Sequence, residues 1–356
     1  TSTNSSIGLI YALKKIFKKI IYKIISTFEL KCIKFYKFMK NILITGALGS
    51  IGHVLYKTME RQSSNTKVYL LDNIHFYHKN YFRADISEYF QLSKVFENIK
   101  FDTVFHFAGE FGRWNGEDYY ESMWKTNVIG TKNLIRLQEK HKFKVIFASS
   151  SEVYGDYEGL MNEQIVTEKF IRPMNDYATS KLVNEIQIMN SKDMFNTQTL
   201  RIRIFNTYGP GEYFNDYRSV VCKFVYSALH KKKYKVFLNH TRTSTFISDM
   251  VQGIINAYDN FTPGEVFNLS GSDYHGIKDV SDMILKKLKL DDDIVEYVQS
   301  EGFTTKDKKT TNEKARNILN FNPQVSLDEG LDKTINWMSD VYLKNKSNKE
   351  NILNYL

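Results

Sequence analysis

Tyr177 and Lys181, a tyrosine and a lysine four positions apart, are the residues whose spacing most directly suggests chemistry. Residues four apart lie on one face of a helix, so the phenol and the ammonium can act together. A tyrosine is a poor base at neutral pH, but a neighbouring positive charge favours its phenolate form. The pair can then take a proton from a substrate hydroxyl. Because Tyr-x-x-x-Lys is common in helices, this interpretation depends on the elements around it.

Three glycines form a second pattern with chemical meaning. Gly46, Gly49 and Gly52 follow an apolar run at residues 42–45 and precede a helical pattern. The first glycine permits a tight turn, the second leaves room for a diphosphate beside the backbone, and the third lets the helix pack closely. The free N–H groups at the start of that helix would bind the phosphates.

An acidic residue ends the next apolar run. Asp72 lies 20 residues after Gly52, where a carboxylate can bind both hydroxyls of an adenosine ribose. The same carboxylate repels a 2′-phosphate. The sequence therefore predicts NAD rather than NADP as the cofactor.

Apolar runs alternate with helical patterns along the chain. The predicted strands are residues 41–45, 68–72, 103–107 and 144–149, and helices are predicted near 89–98 and 128–140. This alternation predicts an α/β fold with a doubly wound, mostly parallel sheet of the Rossmann type. We expect an NAD-binding core at 39–181, further core elements and a smaller C-terminal substrate lobe at 182–345, and a tail at 346–356.

The glycine spacing resembles that of the extended short-chain dehydrogenase/reductases, in particular the NAD-dependent epimerase/dehydratase family, which modifies nucleotide-sugars. The resemblance extends from Met39 to about residue 340 and includes the strand-four motif at 106–109 and the asparagine of 126–131. It implies a set of residues that bind or support NAD: Gly46, Gly49, Ser50, Ile51, Gly52, Asp72, Asn73, Asp85, Ile86, Phe107, Ala108, Gly109, Asn127, Tyr177 and Lys181.

The same resemblance implies a catalytic set. Ala-Ser-Ser-Ser-Glu-Val-Tyr-Gly at 148–155 precedes Tyr177 at the family's interval. It makes Ser150 the serine that hydrogen-bonds to the substrate oxygen, Tyr177 the base and Lys181 its electrostatic partner. Glu152 has two interpretations, a later general base or a purely structural residue.

Downstream residues resemble the family's substrate-binding segments. Asn206, in Arg-Ile-Phe-Asn-Thr-Tyr-Gly-Pro-Gly, matches the asparagine that binds the sugar-linked diphosphate. Arg242 and Asp249 match the family's Arg-Asp pair, in which the guanidinium would bind the diphosphate as a planar donor. A surface salt bridge is the alternative for Arg242.

Two segments depart from the family pattern. Residues 110–120 are rich in aromatic and charged side chains; following the fourth strand, they would overhang the nicotinamide and could select the sugar. Arg113 is interpreted either as a partner for a carboxylate or phosphate, or as part of a solvated loop. Lysines at 306, 308 and 309 stand where the family often has an arginine, which leaves the nucleotide open.

The leading predicted function is an NAD-dependent nucleotide-sugar epimerase acting through a transient keto-sugar. The alternatives are a nucleotide-sugar 4,6-dehydratase or a UDP-glucuronate decarboxylase-like enzyme, since the order Ser150-Ser151-Glu152 most resembles decarboxylases and GDP-sugar dehydratases. A non-catalytic dinucleotide-binding scaffold is the alternative of a different class. Retention of Tyr177 and Lys181 disfavours it.

The charge distribution and the cysteine content narrow the range of possible functions. Residues 1–40 carry a net charge of +8, and the other 316 residues sum to +1, so no basic nucleic-acid-binding face is expected. The two cysteines, Cys32 and Cys222, form no Cys/His cluster, which argues against a thiolate metal site and fits the cytoplasm.

The first 38 residues are expected to lie outside the enzyme fold. Apolar residues recur at helical spacing within 11–28, opposite lysine pairs. The segment is interpreted either as an unstructured leader or as an interfacial helix in peripheral contact with an anionic membrane. No apolar run is long enough to cross a bilayer as a helix. The family resemblance also leaves a homodimer open.

Overall fold

The computed structural model describes residues 39–62 and 65–344. The predicted N-terminal extension, with its membrane contact at 11–28, and the predicted tail at 346–356 lie outside these residues. Most described residues, from Asn41 onwards, belong to one compact unit, whereas 39–40 and 65–67 are assigned to another. Within the described ranges, no helix combines the length and the apolar character needed to cross a membrane.

Fourteen strands are present in the described part of the chain. In chain order they are β1 (Lys40–Thr45), β2 (Thr66–Asp72), β3 (Tyr81–Arg83), β4 (Thr103–His106), β5 (Lys144–Ser150), β6 (Gln198–Ile204), β7 (Thr207–Tyr208), β8 (Tyr234–Phe237), β9 (Thr241–Thr243), β10 (Thr245–Phe246), β11 (Val266–Leu269), β12 (Tyr274–Gly276), β13 (Val295–Val298) and β14 (Asp307–Lys308).

Twelve α-helices accompany them over the same residues. They are α1 (Ser50–Gln62), α2 (Tyr89–Glu97), α3 (Arg113–Asp118), α4 (Tyr120–Met123), α5 (Thr131–His141), α6 (Ile165–Glu168), α7 (Asp176–Phe195), α8 (Val220–Leu229), α9 (Ile247–Asp259), α10 (Ile277–Leu288), α11 (Glu313–Leu319) and α12 (Leu327–Ser339).

Seven strands form the central sheet, in the order β11-β6-β5-β4-β1-β2-β3. The pairs β1–β4, β4–β5, β5–β6, β6–β11 and β2–β3 are parallel. The chain proceeds from β1 to β2 and β3 on one side, then returns to β4 on the other. This reversal confirms the predicted doubly wound sheet and places a crevice beyond the carboxyl ends of β1 and β4.

Both faces of the sheet are buried under helices. Ile42 and Ile44 pack into one hydrophobic cluster, whereas Leu43 between them packs into the other, and all three are fully buried. Successive side chains of a strand point to opposite faces, so a sheet covered on both sides requires apolar residues at every position. This explains the continuous apolar runs of the sequence, each such side chain contributing about 1.5–3 kcal/mol by burial.

The element boundaries agree with the predicted ones to within a few residues. The largest difference lies before α5, where a π-helical turn occupies Trp124–Gly130. Among the elements after residue 182, β6 and β11 complete the central sheet, while β9 pairs with β12 and β14, and β8 with β13. Of these short strands, β8, β9 and β14 contribute residues to the cleft described below.

Candidate active site

A cleft of about 630 Å³ opens at the carboxyl ends of the central strands. It brings together residues separated by more than 200 positions in the sequence. The predicted residues that line it are Gly46, Gly49, Ser50, Ile51, Gly52, Phe107, Gly109, Ser150, Glu152, Tyr177, Lys181, Asn206 and Arg242. Asp72, Asn73, Asp85, Ile86, Ala108 and Asn127 lie outside that lining.

The glycine turn leaves backbone exposed where a dinucleotide would bind. Gly46 follows β1 with a φ of +67°, and a Cβ there would lie 2.5 Å from the Ala108 backbone nitrogen. A Cβ on Gly52 would lie 2.3 Å from the Gly46 carbonyl oxygen. Side chains are therefore excluded at these two positions, and helix α1 begins at Ser50 with its N–H groups directed towards the turn. This cradle fits the diphosphate of NAD.

Asp72 lies at the end of β2, beside the glycine turn. Its carboxylate accepts hydrogen bonds from the backbone nitrogens of Leu48 (3.0 Å) and Asn73 (2.9 Å). Burial raises the pKa of the Asp72 carboxyl, and these backbone donors partly oppose that rise. The carboxylate thus stands next to the diphosphate cradle, as a ribose-binding acid would require.

Of the other predicted residues that do not line the cleft, Asp85, Ile86 and Asn127 contact neighbouring parts of the protein. The Asp85 carboxylate accepts hydrogen bonds from the Ser87 backbone and hydroxyl at 2.8 and 2.7 Å, and the adjacent Ile86 is buried. Asn127, on the π-helical turn, accepts a hydrogen bond from the Glu110 backbone nitrogen (2.8 Å) and donates to the Ser180 hydroxyl (3.0 Å). Asn127 therefore ties the extension of β4 to helix α7.

Tyr177, Lys181 and Ser150 converge at the floor of the cleft. Helix α7 begins after Asn175, whose side chain caps it by accepting the Ala178 backbone nitrogen at 2.8 Å. Ser150 and Tyr177 both line the cleft, and the serine side chain acts on the pKa of the phenol. The Lys181 ammonium lies 5.8 Å from the centre of the Tyr177 ring. All three groups line the same cleft, so each is open to a bound substrate.

Burial controls the proton affinities of this group. It raises the pKa of the Tyr177 phenol above its usual value, and the hydrogen bond from Ser150 partly offsets the rise. Burial lowers the pKa of Lys181 to about 8, so the ammonium stays mostly protonated at pH 7. Its charge, and that of an oxidised nicotinamide, would favour the phenolate when substrate is bound.

Glu152 forms a buried ion pair that the sequence did not reveal. Its carboxylate contacts the ammonium of Lys308, a side chain that is 2% exposed. Burial alone would raise the pKa of Glu152, but the charges of Lys308, Arg242 and Arg113 together hold it below its usual value. Glu152 is therefore ionised at neutral pH.

Strand pairing brings Lys308 to this position. In the parallel pair β9–β14, Lys308 lies opposite Arg242, so both side chains leave the same face of the strands. Arg242 donates hydrogen bonds to the carbonyl oxygens of Thr241 (2.7 Å) and Lys306 (2.8 Å). The sequence could not show that Lys308 would be buried, because Lys308 lies in one lysine-rich run with Lys306 and Lys309, which are exposed.

Asn206 and Arg242 both reach the cleft, but Asp249 does not accompany Arg242. The Asn206 amide donates to the Thr243 carbonyl oxygen at 3.0 Å. Asp249, on α9, instead accepts the backbone nitrogens of Gln324 (3.0 Å) and Val325 (2.9 Å). Of the Arg-Asp pair noted in the sequence, Arg242 therefore lines the cleft, whereas Asp249 binds the C-terminal segment.

The segment after β4 roofs the cleft above Tyr177. The ring of Phe111 meets that of Tyr177 edge-on at 5.7 Å. Arg113 forms an ion pair with Glu301. Its carboxylate partner is therefore a side chain of the protein rather than a group of a bound substrate. The Trp114 indole nitrogen donates to the same carboxylate at 2.9 Å. Glu301 carries no local sequence signal that could have identified it.

A buried ionic network connects the strand that carries Ser150 with the helix that carries Tyr177 and Lys181. Glu185, one turn beyond Lys181 on α7, accepts the Ser149 hydroxyl at 2.5 Å and two guanidinium nitrogens of Arg203 at 3.0 and 2.8 Å. Both charged side chains are 1% exposed. The network joins β5, β6 and α7, and thereby sets the separation between Ser150 and Tyr177. Within the described ranges, no three His, Cys, Asp or Glu side chains are grouped as metal ligands.

Comparisons with known proteins agree with this geometry. The sequence profile of the NAD dependent epimerase/dehydratase family matches residues 42–270. The UDP-N-acetyl-alpha-D-glucosaminuronate decarboxylase of Bacillus cytotoxicus is 29% identical, over 85% of this chain and 98% of its own. UDP-glucuronic acid decarboxylase 1 of Xenopus tropicalis is 30% identical, over 84% of this chain and 72% of its own.

A solved structure shows the same fold with cofactor bound. The UDP-glucuronic acid 4-epimerase of Bacillus cereus, in complex with UDP-glucuronic acid and NAD, superposes with a TM-score of 0.76. It is 24% identical and the match covers 85% of this chain and 100% of that one. With a matching family profile, the same fold and a cradle that fits the dinucleotide, this chain is an enzyme of the NAD-dependent epimerase/dehydratase family.

Proposed function

We propose that this enzyme decarboxylates a UDP-linked uronic acid through transient oxidation of the sugar ring. The observation that carries the proposal is the ionic cluster at the catalytic floor: ionised Glu152, paired with Lys308 and flanked by Arg242 and Arg113. The two curated relatives compared above are named as decarboxylases of such sugars.

Tyr177 would act as the base in the first step. It takes the proton of the sugar hydroxyl while Ser150 holds the same oxygen, and bound NAD⁺ supplies the acceptor for the hydride of that carbon. Lys181 stabilises the phenolate through its charge. When carbon dioxide leaves, the electron pair of the broken C–C bond forms an enolate with the ketone, and the carbon that carried the carboxylate takes up a proton from solvent. The hydride then returns to the carbonyl carbon as the Tyr177 phenol gives its proton back to the sugar oxygen.

Cationic side chains near Glu152 support an acidic sugar. Around Glu152, three cationic side chains (Arg113, Arg242 and Lys308) face two carboxylates (Glu152 and Glu301). The family resemblance implies that Arg242 binds the diphosphate, which leaves Lys308 and Arg113 near the sugar, each paired with one of these carboxylates. Cations at this place lower the energy of a bound carboxylate relative to a neutral hydroxymethyl group. A ketone adjacent to the carbon that bears the carboxylate then allows carbon dioxide to leave.

Dehydration is less well supported by this geometry. Loss of water requires a protonated group to assist the leaving hydroxide. Glu152 is held in its ionised form, and its neighbour Ser151 is a serine where the dehydratases have an acid. The dTDP-D-glucose 4,6-dehydratase of Homo sapiens is also more distant, at 24% identity.

Epimerisation, the leading expectation from the sequence, is the second candidate. Tyr177, Lys181 and Ser150 suffice for it, because it needs only oxidation and return of the hydride to the other face of the keto-sugar. Epimerase Mth375 of Methanothermobacter thermautotrophicus, 25% identical with a TM-score of 0.78, supports it. The homodimer, the cytoplasmic location and the membrane contact stay predictions.

Incubation of the purified enzyme with single nucleotide-sugars tests the proposal. UDP-glucuronic acid and UDP-N-acetylglucosaminuronic acid are compared with UDP-glucose and dTDP-glucose, and the products are identified by mass spectrometry and NMR. Loss of carbon dioxide from a uronic acid, abolished in Tyr177→Phe, is the expected result. A product of unchanged mass with inverted configuration would establish the epimerase instead, and loss of water would contradict both.

A further inference from the structure

Two segments far apart in the sequence meet over the mouth of the cleft. On one side are Arg113 and Trp114, at the start of α3, and on the other is Glu301. The Glu301 carboxylate pairs with the Arg113 guanidinium and accepts the Trp114 indole N–H at 2.9 Å. The guanidinium also lies 5.0 Å from the indole ring centre. We call these three side chains the clasp.

Each side of the clasp is anchored to the body of the protein. The backbone nitrogen of Glu301 donates to Nε2 of His240 at 2.9 Å. Burial, followed by the charge of Arg242, lowers the pKa of His240 to about 4, so at neutral pH the ring is uncharged and can accept this bond. On the other side Gly112 has a φ of +104°, and a Cβ there would lie 2.9 Å from the Tyr217 carbonyl oxygen.

The clasp lies at the sugar end of the cleft. All three of its side chains line the cleft together with Ser150 and Glu152. Phe111, two residues before Arg113, meets the ring of Tyr177. The side chains of Arg113 and Glu301 are only 13% and 20% exposed. The contact therefore lies in the same cleft as the reacting groups, near Glu152, and its ion pair is largely shielded from solvent.

We propose that the clasp retains the keto-sugar between oxidation and return of the hydride. In the oxidation, a C–H and an O–H bond of the sugar break, a C=O bond forms, Tyr177 receives the proton and NAD⁺ is reduced. A keto-sugar that escapes at this stage leaves the enzyme reduced and unable to bind another substrate productively. Arg113, Trp114 and Glu301 thus determine the fraction of turnovers that reach the final product. This inference rests on the proposed oxidation of a nucleotide-sugar.

The test measures the fraction of turnovers in which the keto-sugar leaves the enzyme, rather than the turnover rate. Glu301→Gln and Trp114→Phe are compared with Glu97→Gln, which alters an exposed ion pair with Lys94 outside the lining of the cleft. Each purified variant receives UDP-glucuronic acid, and the absorbance of reduced nicotinamide and the released keto-sugar are followed. We expect escape per turnover to rise about tenfold in Glu301→Gln, which corresponds to about 1.4 kcal/mol. Glu97→Gln should match the unaltered enzyme.

A second measurement separates the clasp from the proposed function. In a Tyr177→Phe background, which cannot complete the oxidation, the dissociation rate of UDP-glucuronic acid is measured with and without Glu301→Gln. A rate raised about tenfold supports the clasp even if the unaltered enzyme turned over no uronic acid, a result that would refute only the proposed reaction. Unchanged escape and unchanged dissociation in a folded Glu301→Gln variant would overturn the clasp. Failure of UDP-glucuronic acid to bind would overturn both.

Discussion

Lys308→Met removes the cation that faces Glu152 while keeping a long apolar side chain in its place. Lys308 is 2% exposed and Glu152 20% exposed, so the carboxylate would remain largely buried without its closest countercharge. Removing one partner of a buried pair costs about 3–5 kcal/mol. Because Glu152 keeps some solvent contact and the nearby charges of Arg242 and Arg113, we expect a loss of about 3 kcal/mol in the free energy of unfolding at pH 7.

The loss of stability in Lys308→Met depends on pH. In the unaltered enzyme the folded-state pKa of Glu152 lies below the usual 4.5, so its contribution to stability is present above pH 4.5 and is lost as pH falls through the folded pKa. Without Lys308, burial opposes ionisation more effectively and the pKa moves up. The stability difference between the two proteins should therefore be full above the raised pKa of Glu152 in the variant, and it should shrink as the pH falls from there through the lowered folded pKa of the unaltered enzyme.

Urea unfolding between pH 4 and pH 8 measures this difference for the unaltered enzyme, Lys308→Met, Glu152→Gln and the double variant. The double variant should recover part of the loss, because it buries neither an unpaired carboxylate nor an unpaired ammonium. A difference independent of pH, or one below about 1 kcal/mol at pH 7, would refute the assignment of a coupled buried pair.

Three further changes test other parts of the site. The turnover rate should fall above about pH 8 as the Lys181 ammonium, whose pKa burial lowers to about 8, loses its proton; a rate that stays level to about pH 10 would contradict its role. Glu185→Gln leaves the guanidinium of Arg203 buried without its carboxylate, and urea unfolding should show a loss of about 3–5 kcal/mol, which a value near zero would exclude. Gly46→Ala requires a strained φ and a clash with the backbone after β4, so NAD titration and thermal melting should both show weakening; unchanged NAD affinity would contradict the cradle.

The local parts of the site could be predicted from the sequence. The glycine turn, Asp72 at the end of β2 and the pair Tyr177 and Lys181 depend on spacing within one strand, turn or helix. Such spacing translates directly into position, because a strand repeats every two residues and a helix every 3.6. The apolar runs of the central strands likewise predicted a sheet buried on both faces. These features determined the fold class and the NAD cradle.

The ionic environment of the substrate site was decided by tertiary structure alone. Lys308 is buried against Glu152 because β14 pairs with β9 in one register, and nothing local separates it from Lys306 and Lys309. Glu301 reaches Arg113 only because the C-terminal segment folds back over the cleft. Contacts of this kind join chain segments that the sequence leaves unrelated, and burial, which sets their charge states, exists only once those segments have packed.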